Sequence, residues 1–502
     1  MKAIAQSVLG MLVLGLASIA HAAPTTRPNV LFIVADDLTT TALGCYGNTV
    51  CHTPNIDRLA SMGVQFKRAY CQWPLCLPSR NSFLSGRRPT ATFTGDGLLR
   101  TRVPDVEFIP EHFRKAGYFT ARYGKMFHTR TVFQGIPIKT LEDPACWDIS
   151  EIGGTAIDPD GYNVLFAASF PRSLPAHPEL KKIIVDQELL HTAGQPAFDY
   201  WMEYAMLDVP DEQCVDGNIA VQSIKFLDEH AKLPQSFFLG TGFRRPHLLW
   251  CVPKKYFDMY DYKTMKLAEQ VPNDLDDIPK VALTRRAPDM TTEQRQKAIA
   301  AYYACVTEVD DNLGKLMATM DRLKLWDNTI VVFTSDHGWH LGEHDSLWGK
   351  VTLFEEAAKV PLIIVAPGMS KGVSPRTVEM LDFYPTLCEL AGLPMPNVPT
   401  DGTSMVPKLR DPQAPRDRPA YSIVRHGKTF GRAVYTEQFR YTEWGDNASQ
   451  GVELYDHNAD PKEYTNLAHD PAQADTVKRL KTLLDATVHV SDKDTNRVGS
   501  KD

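Results

Sequence analysis

A chain of 502 residues is long enough for one large domain and a smaller one, because single hydrophobic cores stop growing near ~250–300 residues. Hydrophobic residues make up 43% and charged residues 23%, ordinary globular values that exclude a disordered or fibrous protein. The formal net charge of −7 offers no global attraction to nucleic acid or to an anionic membrane, so an anionic ligand has to be drawn by a local field.

The chain opens on Met1 and Lys2, runs through an apolar stretch from Val8 to Ala20, and reaches the small residues Ala20 and Ala22 around His21. That is the pattern of a removable export signal over residues 1–22. The stretch is shorter than the ~20 apolar residues a membrane span requires, and no other segment reaches that length. A periplasmic or secreted protein with no membrane span is expected.

Short apolar, β-branched runs come next at Asn29–Ala35, Phe119–Tyr123, Phe237–Gly240, Thr329–Thr334 and Leu362–Ala366. Helix-length segments separate them, which predicts a parallel sheet covered on both faces. Helices are expected over Ile56–Met62, Glu111–Lys115, Ile219–His230, Arg295–Leu323 and Val378–Ala391. From about Ile136 to Pro210 there is no clear periodicity, and the segment reads as long loops or an insertion that shapes a substrate pocket. Beyond the Pro-rich Leu393–Pro399, the alternating runs Arg432–Tyr435 and Phe439–Trp444 and a helix over Ala472–Ala486 predict a small subdomain with an antiparallel sheet. The expected division is a catalytic domain over 23–395 and a C-terminal subdomain over 396–502. Nine cysteines are too few for a disulfide scaffold, and their odd number leaves at least one thiol unpaired or modified.

In an open parallel sheet, ligands collect beyond the carboxyl ends of the strands. The first run ends in Asp36 and Asp37, and the run through Thr334 is followed by Ser335, Asp336 and His337. Acidic groups delivered to one sheet edge repel unless a cation sits between them. Hard oxygen donors with few cysteines point to Ca²⁺ or Mg²⁺ rather than zinc. A single Asp after a strand more often caps a turn. Two such groups, in one chain with the residues around Cys76, outweigh that reading.

Cys76 is followed by Pro78, Ser79 and Arg80. Proline just inside a helix start places Cys76 at the N-terminus, where free N–H groups attract anions. Arg80, one turn on, adds a fixed cation on the same side, an arrangement suited to sulfate or phosphate. Taken alone, Cys76 reads equally well as a buried thiol or half of a disulfide. Further basic residues recur at predicted strand ends: Lys125 and His128 in GKMFH, Arg244, Arg245 and His247 in FRRPH, and Lys350 in LWGK. Each by itself is ordinarily a solvated or hydrogen-bonded residue.

The string Cys-x-Pro-Ser-Arg at 76–80, with Ser82–Arg88 close behind it, resembles the signature of the type I sulfatases. The likeness extends to NVLFIVADD (Asn29–Asp37), TPNIDRLA (Thr53–Ala60), GKMFH (Gly124–His128), SDHGWHLGEH (Ser335–His344) and ELYDHNADPKEYTNL (Glu453–Leu467), spanning nearly the whole chain. Gly-Lys-x-Phe-His, Arg-Pro-His and a His after Asp336 most resemble the iduronate 2-sulfatase branch. The resemblance implies an α/β, alkaline-phosphatase-like fold, a mixed, mostly parallel sheet sandwiched by helices with a smaller antiparallel C-terminal subdomain. It implies that Cys76 is converted to formylglycine (3-oxoalanine) by a formylglycine-generating enzyme or sulfatase maturase. It further implies one Ca²⁺ held by Asp36, Asp37, Asp336, His337 and the modified Cys76, with Arg80, Lys125, His128, His247 and Lys350 around the sulfate. The implied substrate is a sulfated polysaccharide or oligosaccharide, with 2-O-sulfated uronic acid first. Two positions depart from the family pattern. Leu77 stands where a small residue is common, and the spacing from His344 to Lys350 is one residue longer than expected. The same scaffold serves phosphatases and phosphonate monoester hydrolases, and a non-catalytic glycan-binding homologue is the third reading.

Overall fold

The computed structural model describes residues 27–89, 99–128, 132–133, 136–137, 142–151, 182–192, 201–284, 286–416 and 418–491. The expected export signal at 1–22 and much of the 136–210 region lie outside these residues.

The centre is an eight-stranded sheet of β1 (Asn29–Asp36), β2 (Val64–Tyr70), β3 (Phe119–Gly124), β4 (Ile149–Glu151), β5 (Phe237–Pro246), β6 (Thr329–Ser335), β7 (Lys359–Val365) and β8 (Gly372–Glu379). Their order is β8-β2-β7-β6-β1-β5-β3-β4. Every pairing is parallel except the two made by β7, which runs against β6 and β2. The sheet is mixed and mostly parallel, as the resemblance implies, with one reversed strand.

All of β1 is buried, and its period of two sorts it between two cores. Leu31, Ile33 and Ala35 join one cluster with helices α1 (Pro54–Met62), α3 (Val215–His230) and α4 (Thr292–Leu323). Val30, Phe32 and Val34 join the other, with α2 (Cys76–Ser85) and α5 (Phe383–Ala391). A strand buried on both faces must be apolar throughout, which is why NVLFIVA is so plain in the sequence. The 32-residue α4 starts in a capping box, with Gln294 N–H donating to Thr291 Oγ1 at 3.2 Å and Thr291 N–H to Gln294 Oε1 at 2.8 Å.

Three expectations are corrected. Val378 lies in edge strand β8, not in a helix, and α5 starts only at Phe383. Arg244 and Arg245 lie inside β5, which is longer than Phe237–Gly240, so only His247 comes after the strand. The region read as long loops or an insertion is not all loop: strands Ile184–Thr192 and Trp201–Leu207 pair antiparallel and extend to Trp250–Pro253 in a three-stranded sheet.

Strands β9 (Ala420–His426), β10 (Thr429–Tyr435), β11 (Phe439–Trp444) and β12 (Gly451–Asp456) form an antiparallel meander, covered by α6 (Ala474–Thr487) through Leu480 and Leu484. β9 is tied to the chain just before Cys76: Ile423 N–H donates to Gln72 O at 3.0 Å, and Ser422 Oγ donates to Cys71 O. Among the described residues, no helix is long and apolar enough to cross a membrane.

Candidate active site

Parallel pairing of β1 with β6 sets Ala35 opposite Ser335, so the residues beyond each strand emerge side by side. Asp37 N–H donates to Asp336 Oδ1 at 3.2 Å, and Leu38 N–H to Ser335 Oγ at 2.9 Å. Asp37 adopts a left-handed φ of 66°, which turns the chain at the strand end. Asp36, Asp37, Asp336 and His337 are all buried. Helix α2 starts at Cys76, whose Sγ lies 3.3 Å from His337 Nε2 and 3.9 Å from Asp37 Oδ1.

Cations close the ring. Lys350 Nζ lies 3.0 Å from Cys76 Sγ and 2.7 Å from Asp37 Oδ1. Lys125, just past β3, pairs with Asp36. His247 Nε2 lies 3.9 Å from Asp37 Oδ2, and the His128 side chain hydrogen-bonds Cys76. The structure thus gathers every residue singled out for the site from six separate stretches of chain. Between the SDHGWHLGEH stretch and Lys350, His344, Asp345 and Ser346 are three consecutive left-handed residues (φ 46°, 50° and 75°). They sit in a loop between the short paired strands His340–Leu341 and Trp348–Gly349, which returns Lys350 to the site.

Arg80 is held by acidic and carbonyl groups of the site itself. Its fully buried guanidinium donates from Nε to Asp336 Oδ2 at 2.8 Å, from Nη2 to Asp36 Oδ1 at 3.4 Å, and from Nη1 to the Lys125 and Met126 carbonyls. A planar fork used this fully holds two carboxylates and a loop in register.

The local field is strongly coupled. Burial pushes the Cys76 thiol up, but Lys125, Lys350 and His337 outweigh it and hold it well below its ordinary 9.0. Burial also raises Asp36, yet Lys125, His247 and Arg80 keep it below the usual carboxylate range. Asp336 is pushed up to about 7, first by burial and then by Asp36, against Arg80. His337 reaches about 9 because Asp336 outweighs its burial. Asp36 and Asp336 are displaced in opposite directions, as two like charges brought together in a buried site are.

The donor set fits such an ion. Ligand atoms of Asp36, Cys76, Asp336 and His337 lie within 4.8 Å of one another, and so do those of Asp37, Cys76 and His247. Asp37 Oδ2 is buried without a hydrogen bond. His337 Nδ1 faces Gly338 O at 3.0 Å, which orients the ring so that Nε2 points at Cys76 Sγ and Asp37 Oδ1. Three carboxylates and one imidazole suit a hard divalent cation.

Sequence reasoning missed Tyr302 of α4. Its hydroxyl donates to Asp37 O at 2.6 Å and accepts from Thr39 N–H at 2.9 Å, pinning the Asp37 turn from the opposite side. Ser79 Oγ donates to Asp336 O at 2.5 Å, and the Trp339 ring lies 5.8 Å from Lys350 Nζ. Within a helical pattern Tyr302 is indistinguishable from an ordinary core aromatic.

The sulfatase family model matches residues 28–393, and the model for the N-sulphoglucosamine sulphohydrolase C-terminal region matches 342–489. The chain belongs to the sulfatase family and is a sulfuric ester hydrolase. It is 32% identical to a sulfatase of Formosa agariphila over 94% of this chain and 89% of that one. It is 29% identical to the iduronate 2-sulfatase of Homo sapiens over 94% and 97%. Among solved structures, a phosphonate monoester hydrolase from Silicibacter pomeroyi superposes with a TM-score of 0.71 at 25% identity, covering 91% of this chain and 94% of that one. A 2-O GAG sulfatase superposes with a TM-score of 0.67 at 22% identity, covering 94% of each, and shows the shared fold. The family generally acts through formylglycine and a metal ion.

Proposed function

We propose that the protein hydrolyses sulfate esters on a sulfated polysaccharide or oligosaccharide, with 2-O-sulfated uronic acid the favoured unit, and that Cys76 is the precursor of its formylglycine. The observation that carries the reading is Cys76 at the start of α2, ringed by Lys125, Lys350, His128 and His337 beside a carboxylate cluster. The likeness to human iduronate 2-sulfatase over 94% of the chain supports the uronate.

Asp36, Asp37, Asp336 and His337, with the modified Cys76, would hold one Ca²⁺, whose charge polarises a sulfate oxygen and lowers the pKa of an attacking hydroxyl. Cys76, once converted, would supply a hydrated aldehyde with two hydroxyls on one carbon, the chemistry that separates attack on sulfur from release of sulfate. The chain's own groups do the rest. Lys125 and Lys350 hold the anion and absorb developing charge. Lys350, facing Asp37 Oδ1, and His247, facing Oδ2, deliver a proton to the departing sugar oxygen. His128 takes the proton of the second hydroxyl. Arg80 keeps Asp36, Asp336 and the Lys125 loop in place.

Export to the periplasm or outside the cell, read from residues 1–22, and the division into 23–395 and 396–502 belong to the same proposal. So does maturation by a formylglycine-generating enzyme or sulfatase maturase. The likeness to a phosphonate monoester hydrolase favours a second reading, hydrolysis of phosphate or phosphonate monoesters.

Sulfate release from defined glycosaminoglycan, ulvan, fucoidan and carrageenan fragments, alongside aryl sulfate and aryl phosphonate assays, tests the proposal. Preferential desulfation of 2-O-sulfated uronates is the expected result. Equal release from all glycans refutes the uronate preference, and faster turnover of the phosphonate refutes the sulfatase reading. Mass analysis of the peptide carrying Cys76 reports the conversion independently.

A further inference from the structure

Lys350 reaches Cys76 from a segment whose backbone is held in an unfavourable shape. Val351, the next residue, has φ 70° and is 5% exposed. A β-branched residue in the left-handed region is strained, and such a conformation persists only where the surroundings over-determine it. Both polar groups of Val351 are engaged. Its N–H donates to Pro74 O at 3.0 Å, two residues before Cys76. Its carbonyl faces His426 Nε2 at 2.6 Å.

His426 ends β9 of the C-terminal meander. Its other nitrogen, Nδ1, faces the Val281 carbonyl at 2.6 Å, and its ring stacks on Trp444 with centroids 5.0 Å apart. Thr284 Oγ1 lies 3.5 Å from Nε2. With its proton on Nε2 the ring donates to the Val351 carbonyl, tying the Lys350 segment to the end of β9.

We propose that His426 is a positioning residue that holds Val351 in its left-handed conformation and thereby fixes Lys350 Nζ against Cys76 and Asp37. The antiparallel subdomain is then a working part of the site, although it contributes no group to the carboxylate cluster. The inference rests on the role given to Lys350 above.

A double-mutant cycle on the converted enzyme with an aryl sulfate tests it. Misplacing a positioned group by ~1 Å costs on the order of 10²-fold in rate, so His426→Ala is expected to lower kcat by about that factor with KM nearly unchanged. In the Lys350→Ala background the same change should cost less than about twofold, because the two act as one unit. Val351→Gly should restore part of the lost rate in the His426→Ala background, since glycine takes positive φ without strain. His426→Gln, which keeps one donor for one carbonyl, should fall between wild type and His426→Ala, and thermal melting confirms that each variant is folded. A crippled Lys350→Ala beside an undiminished His426→Ala, or equal losses in both backgrounds, overturns the clamp alone. Lys350→Ala at the wild-type rate overturns the role of Lys350 and the clamp with it.

Discussion

Cys76 and Arg80 stand one helical turn apart and have different work. Cys76 is surrounded by groups that favour an anion at its position, whereas Arg80 has turned its fork toward Asp36, Asp336 and two backbone carbonyls. Cys76→Ala is therefore expected to abolish turnover in a protein that still folds. Arg80→Lys should fold too but lose on the order of 10² in kcat, because a point charge cannot brace two carboxylates at once. Steady-state kinetics with circular dichroism on both variants checks this, and appreciable turnover by Cys76→Ala would sink the nucleophile assignment. At this scale much of the site is legible in the sequence, since Asp36, Asp37, Asp336 and His337 directly succeed strands that announce themselves. What Arg80 touches is not legible, because its partners lie 44 and 256 positions away.

Between elements, the decisive contact is the approach of β3 to β5. A Cβ built on Gly242 would stand 2.1 Å from Lys125 O, and one on Gly124 would stand 2.1 Å from Gly242 O. Only glycine lets the two backbones come this close, and that closeness sets where Lys125 leaves the sheet. Gly242→Ala should force the strands apart, costing ~1–3 kcal/mol of stability and drawing Lys125 away from Asp36. Denaturant unfolding and kcat measured on one preparation should fall together; an unchanged kcat would separate strand spacing from the site. β2 and β8 escaped sequence reading for physical reasons. VQFKRAY interrupts its apolar alternation with Lys67 and Arg68, which are half-buried, and GVSPRTVE carries a proline that only an edge strand tolerates. The reversal of β7 was equally hidden, because a strand buried on both faces reads the same in either direction.

Across the whole molecule, the subdomains are joined by buried charge. Arg440 of β11 bonds Glu463 at 2.7 Å and Glu453 at 3.0 Å, His457 bonds Glu463 at 2.8 Å, and Glu463 accepts from Glu355 N–H at 3.1 Å. Burial pushes Glu463 up, but Arg440 and His457 hold it well below its ordinary 4.5. Burial pushes His457 down, yet Glu355 and Glu463 raise it above 6.5. The Glu463 contribution to stability is therefore present above pH 4.5 and lost as pH falls through its depressed value. The His457 contribution is full below pH 6.5 and lost as pH rises through its elevated one. Melting temperatures should peak between these limits, and Glu463→Gln should flatten both flanks. A mutant profile parallel to wild type would show that other groups govern the pH response.

Cys76 is only 2% exposed, at the foot of a helix docked between two sheet strands' ends and a second subdomain. On the proposed conversion, a modifying enzyme has to meet that cysteine while the chain is still open. The yield of competent enzyme is then decided by a race between modification and folding, and a molecule that folds first keeps its thiol, shut inside a finished site.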